Sequence, residues 1–174
     1  MTKYFTNNYT VTNLYKAPSI KSEVVTQMIY GDSFSISKRG RKWLKVKIKE
    51  DGYKGYIKNR RFSKFLKPTH KIKVLKSKVF RLTNKKFKIN ELSFGSKIRV
   101  IEGKDKFLRF SKGWIKKNDV KPISFKEKNP FRKISLFKNI KYKWGGKSFK
   151  GIDCSALIQV FLNFNNKFCP RDAK

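Results

Sequence analysis

Trp43-Leu44-Lys45-Val46-Lys47-Ile48-Lys49-Glu50-Asp51-Gly52-Tyr53-Lys54-Gly55-Tyr56-Ile57 opens on strict alternation of apolar and polar residues from Trp43 to Lys49, then turns at Asp51-Gly52 into a second run of strand formers. A period of two puts one face on a core and the other in water, and Asp-Gly between two such runs is a hairpin signal. Working outward, Pro18, Gly31-Asp32 and Arg39-Gly40 punctuate residues 11–66 into further short strands. That spacing is that of a small all-β barrel.

The pattern returns about 64 residues later. Leu14-Tyr15 corresponds to Val79-Phe80, Tyr30-Gly31 to Phe94-Gly95, Trp43 to Phe107, and Gly55-Tyr56-Ile57 to Gly113-Trp114-Ile115. Two tandem barrels, 1–66 and 67–123, are therefore expected, with the aromatics Tyr15, Phe34, Trp43 and Tyr56 as core or hairpin packing. Leu14-Tyr15-Lys16-Ala17-Pro18, Ser22-Glu23, Thr26-Gln27, Tyr30-Gly31-Asp32 and Asp51-Gly52-Tyr53-Lys54-Gly55-Tyr56-Ile57 resemble bacterial SH3-like barrels.

The 174 residues carry 36 Lys and 9 Arg against 11 Asp+Glu, a formal charge of +34, and contain three Ala. Arg, the bidentate reader of phosphate and guanine, is the scarce cation. Lysines that alternate with apolar residues form the solvated face of strands, so nucleic-acid binding is not expected. No apolar run approaches the ~20 residues of a membrane span, and Met1-Thr2-Lys3-Tyr4-Phe5 has no apolar leader core. A reducing compartment and two free thiols, Cys154 and Cys169, follow as expectations. One histidine and two distant cysteines offer no metal-ligand spacing, and no cofactor is implied.

From Asn129-Pro130 the character changes. Phe131, Ile134 and Phe137 keep helical spacing after a proline suited to a first turn, which predicts a helix of two or three turns. Asp153, a good N-cap, then precedes Cys154-Ser155-Ala156-Leu157-Ile158-Gln159-Val160-Phe161-Leu162-Asn163-Phe164, read as a second helix. Its first turn holds a thiol where unpaired backbone amides suit an anion and could hold an oxyanion.

Tyr142-x-Trp144-Gly145-Gly146, Gly151-x-Asp153-Cys154-Ser155-x-Leu157-Ile158-Gln159 and Pro170-Arg171-Asp172-Ala173 resemble the NlpC-type cell-wall peptidases, papain-like cysteine hydrolases. Cys154 lies twelve positions after Tyr142, and Asp172 eighteen after Cys154. The resemblance implies a mainly β chain: two tandem SH3-like barrels followed, over 124–174, by the helical N-terminal part of an α+β papain-like domain. It implies a γ-D-glutamyl-L-diamino acid endopeptidase acting on peptidoglycan-derived peptides with a free L-Ala N-terminus; without an export signal, such an enzyme is expected to meet them in the cytoplasm. Cys154 would be the nucleophile and Tyr142 an oxyanion partner. Asp153, Ser155 and Asp172 would form the amine pocket, with Glu23 and with Tyr53 closing the cleft.

The family's histidine base stands on a strand roughly 50 residues after the cysteine, whereas these residues hold only His70, at the entrance to the second barrel. The chain is therefore expected to be C-terminally truncated and inactive. The alternative is an SH3-like module binding cell-wall peptide or another anionic partner. The second helix is apolar almost all round, and each uncovered large side chain forgoes about 1.5–3 kcal/mol of burial. Residues 124–174 are therefore expected to be poorly ordered or prone to aggregate.

Overall fold

The computed structural model describes residues 2–84 and 87–172; Ala173 of the last motif lies outside them. Strands β1 (Tyr4–Thr6), β2 (Val11–Tyr15), β3 (Val24–Ile29), β4 (Ser33–Arg39), β5 (Trp43–Ile48), β6 (Lys54–Lys58) and β7 (Ser63–Lys64) form one curled sheet of order β3-β2-β6-β5-β4-β1-β7. The alternating run is β5, and the Asp-Gly turn returns it antiparallel onto β6 with Lys47 opposite Lys54. Leu44, Val46 and Ile48 point inward onto Leu14, Met28, Phe34 and Ile57, while Lys45 and Lys47 face water.

The repeat reappears as topology. β8 (His70–Ile72), β9 (Lys76–Phe80), β10 (Lys88–Ser93), β11 (Lys97–Ile98), β12 (Glu102–Lys104), β13 (Phe107–Phe110), β14 (Gly113–Lys116) and β15 (Val120–Pro122) pair as β10-β9-β14-β13-β12 and β11-β8-β15. Both repeats close through the positions that the sequence aligns. Tyr15 pairs with Tyr56 between β2 and β6, and Phe80 pairs with Trp114 between β9 and β14. Of the aromatics assigned to packing, Phe34 is core, and Tyr15 and Trp43 meet edge to face at 5.4 Å.

The aligned Tyr30-Gly31 and Phe94-Gly95 turns do more than end strands. Each aromatic leaves its own barrel and plugs the next unit. Tyr30 enters the second core against Phe110, with ring centroids 5.7 Å apart. Phe94 enters a third core against Phe137, Phe161 and Phe164. Gly31 allows the first of these docks: its φ is +88°, and a Cβ there would lie 2.1 Å from the Lys97 carbonyl oxygen. At the same junction Lys97 Nζ is 2.7 Å from Glu50 and 3.6 Å from Asp32, which also faces Lys147 Nζ at 3.7 Å. Burial alone would discharge Lys97, but Glu50 and Asp32 outweigh it and hold its pKa above the ordinary lysine value.

The third region contains β16 (Lys147–Ser148), β17 (Gly151–Ile152) and α1 (Cys154–Phe164). Two expectations are corrected here. The segment after Pro130 forms only a single 3-10 turn, Ile134–Phe137, because Phe131, Leu136, Phe137 and Ile140 are spent as pins into the core over α1. The helix is covered along one face only: Ala156, Gln159, Val160, Phe161 and Phe164 are buried beneath Phe94 of the second barrel and residues 125–140, whereas Ile158 is exposed and Leu157 and Leu162 are half-buried. Lys71 closes its far end, donating to the carbonyls of Phe164 and Phe125, where a cation suits the helix dipole. Burial, then the charges of Lys97 and Lys126, push the Lys71 pKa down to about 8. Among the described residues no helix is long and apolar enough to cross a membrane.

Candidate active site

Asp153 begins α1 as the sequence requires of an N-cap. Its backbone is extended, and its Oδ1 accepts the Ala156 N–H at 2.8 Å. The same carboxylate has further partners: Oδ2 accepts from Gly145 N–H at 2.9 Å and from Arg171 Nη2, and Oδ1 accepts from Ser155 Oγ at 3.2 Å. Burial opposes its ionisation, but the hydrogen bond from Arg171, the Ala156 amide, the guanidinium charge and the Ser155 hydroxyl together hold it below the usual carboxylate range. Arg171 itself is buried and reaches three residues on two elements, β3 and the start of α1. Its Nη1 donates to Ser155 Oγ, and its Nε donates to Thr26 Oγ1 on β3 at 2.8 Å.

Cys154 follows Asp153 and is exposed, and neither thiol is bonded to the other. Tyr142 is brought beside the helix entrance by a parallel bridge to Ile152, two residues ahead of the thiol, with its side chain 65% exposed. The next residues dock on the first barrel. Gly145 has φ +69° and presses against Val24 of β3, and Trp144 Nε1 donates to Glu23 Oε1 at 2.8 Å.

Those contacts frame a cavity of about 440 Å³ lined by Glu23, Tyr53, Trp144 and Asp172, together with Lys16, Val25 and Lys54. Three residues singled out from the sequence, Glu23, Tyr53 and Asp172, thus meet in one space although they are far apart in the chain. Glu23 is also 3.6 Å from Lys16 Nζ. The Tyr53 phenol is pushed up, first by burial and then by the charge of Asp172 and a hydrogen bond to it; Glu23 adds to this and Arg171 opposes it. A phenol between two carboxylates suits a ligand ammonium, which needs paired charge to leave water.

Asp153, Ser155, Cys154 and Tyr142 do not line this cavity. The polar atoms of Asp153 and Ser155 are engaged with one another, with Arg171 and with the helix end. Sequence reasoning gave no role to Trp144 or Arg171. Both stand inside quoted motifs, and an Arg in so Lys-rich a chain was the available signal. His70 lies on β8 opposite Ile98 and Pro122, its Nδ1 is 2.9 Å from Thr69 Oγ1, and burial lowers its pKa. Among the described residues no three His, Cys, Asp or Glu side chains gather as metal ligands.

Residues 14–61 match the bacterial dipeptidyl-peptidase SH3 domain family. The chain is 25% identical over 168 residues to a γ-D-glutamyl-L-lysine dipeptidyl-peptidase of Bacillus subtilis (strain 168). That alignment covers 86% of this chain, and the chain spans 56% of the length of that relative. Its fold is shared with the crystal structure of an NlpC/P60 family protein from Bacillus cereus ATCC 10987, with a TM-score of 0.82 and 17% identity over 98% of this chain and 74% of the other.

Proposed function

On the strength of a dipeptidyl-peptidase SH3 domain joined to the helix end of an NlpC/P60 fold, we propose that this chain binds peptidoglycan stem peptides through a free N-terminal amine and presents a cysteine nucleophile to their γ-D-glutamyl bond. The observation that carries this reading is the meeting of Glu23, Tyr53 and Asp172 in one cavity that shares a hub with the thiol. Trp144 precedes Gly145 and Asp172 follows Arg171, and both Gly145 and Arg171 bind Asp153, the residue before Cys154.

In the proposed reaction the peptide ammonium is held by Glu23 and Asp172. Cys154 Sγ attacks the γ-carbonyl carbon of D-Glu, and the first amides of α1 with the Tyr142 hydroxyl receive the oxyanion. Collapse expels the diamino acid amine and leaves a thioester, which water hydrolyses. Both steps move a proton, and the imidazole within these residues is engaged with Thr69 on a different unit. Residues 1–174 by themselves therefore bind and position the peptide without turning it over.

A binding-module reading is favoured by one observation: five of the seven lining residues, Lys16, Glu23, Val25, Tyr53 and Lys54, belong to the first barrel. Calorimetry on the Cys154→Ala chain tests the shared premise. L-Ala-γ-D-Glu-L-Lys should bind at least about tenfold more tightly than its Nα-acetyl form, since a charge-assisted contact left unmade in a partly buried site costs more than ~1.4 kcal/mol. Glu23→Gln with Asp172→Asn should erase the difference. Equal affinity for the two peptides would remove the amine-pocket assignment.

A further inference from the structure

We propose that Arg171 is a positioning residue for the nucleophile: one buried guanidinium fixes both residues that flank Cys154 and ties them to strand β3 of the first barrel. Three of its nitrogens each find a separate partner, Thr26 Oγ1, Ser155 Oγ and Asp153 Oδ2. Thr26 is fully buried in the barrel wall opposite core residue Leu14, so the fork is anchored on something rigid. A lysine, a compact point charge, could not reproduce that planar arrangement, and an arginine stands here in a chain that uses lysine four times as often.

The guanidinium also sets the charge beside the thiol. Asp153 precedes Cys154 directly, and an unpaired carboxylate there would oppose an anion on the sulfur. Arg171 pairs that charge while leaving its hydrogen bonds to Ala156 and Gly145 in place, so the helix-end amides act on the sulfur without competition. Ser155, whose hydroxyl links Asp153 to Arg171, completes a closed frame around the cysteine backbone.

The inference rests on Cys154 being the nucleophile, but its test reads the thiol and needs no peptide, so a failed peptide-binding experiment would leave it standing. The full 174-residue chain is treated with iodoacetamide across pH, and each cysteine is followed separately by peptide mass spectrometry, with Cys169 as internal reference. Arg171→Met should slow Cys154 alkylation about tenfold at pH 7 and move its profile up by about one pH unit, with Cys169 unchanged. Adding Asp153→Asn to that variant should bring the profile back, and Arg171→Lys, which keeps the charge, should restore the midpoint as well. A Cys154 profile in Arg171→Met that overlays the wild type, or one that Asp153→Asn fails to rescue, would overturn the proposal. Should the Met variant not fold, Asp153→Asn alone gives the reciprocal reading: an unpaired guanidinium should lower the midpoint, and an unmoved midpoint would overturn the proposal.

Discussion

Phe94→Ala should strip amide-exchange protection from α1 while the first barrel keeps its own. The ring is 1% exposed and lies 4.7 Å from Phe164, 4.9 Å from Phe161 and 6.0 Å from Phe137, centroid to centroid. Truncating a fully buried phenylalanine costs about 3–5 kcal/mol, the lost transfer energy plus an unfilled cavity. For most core positions that loss would fall on the barrel that carries the residue. Phe94 belongs by sequence to the second barrel but packs in the third core, so the loss falls on the docking of α1. Native-state exchange resolves the two cases. Protection of Leu157–Leu162 should collapse, with Leu44–Ile48 unaffected. Loss spread evenly over all three regions would show instead that they unfold as one unit.

Gly145→Ala should disable the site without touching a residue that meets the peptide. A Cβ there would lie 2.2 Å from the Val24 carbonyl oxygen and 3.0 Å from its carbon, both backbone atoms that cannot swing aside, and the φ of +69° disfavours any side chain. The Tyr142–Gly146 loop would have to lift off β3. That breaks the hydrogen bond from the Gly145 N–H to Asp153 Oδ2 and pulls Trp144 from Glu23, so the cavity opens on one side. We expect a loss of at least about 2 kcal/mol in stability and peptide binding weakened more than about tenfold, measured by melting and by the calorimetry above. Gly103→Ala, whose Cβ would meet nothing closer than the Leu108 side chain at 3.4 Å and which has no positive φ, is the matched control.

The elements legible in the sequence were those set by local rules. Alternation and the Asp51-Gly52 turn mark the β5–β6 hairpin, and the repeat aligns the positions that pair in both barrels as Tyr15–Tyr56 and Phe80–Trp114. Asp153 and the apolar run after it mark α1 at both ends. What stayed hidden was long-range. Nothing in the spacing of Phe131, Ile134 and Phe137 tells a short helix from a strap pinned across α1, because both bury the same residues. Nor does periodicity say that Phe94, which reads as a strand-end aromatic, covers a helix some 60 residues away. In the site, the motif residues could be named, but not the direction in which each faces. The motif contains both Asp153 and Arg171, eighteen residues on, without revealing that the two are partners.

The claim on which the rest depends, that Cys154 and the Glu23–Tyr53–Asp172 cavity serve one peptide, is tested most directly by affinity labelling. An L-Ala-γ-D-Glu chloromethyl ketone, whose ketone stands where the scissile carbonyl would and whose next carbon loses chloride to a thiolate, is offered to the 174-residue chain and the adduct is located by mass spectrometry. The account predicts a single adduct on Cys154, at least about tenfold faster with a free than an acetylated amine, and suppressed by L-Ala-γ-D-Glu-L-Lys. Labelling of Cys169 as readily as Cys154, or at a rate indifferent to the amine, would contradict it.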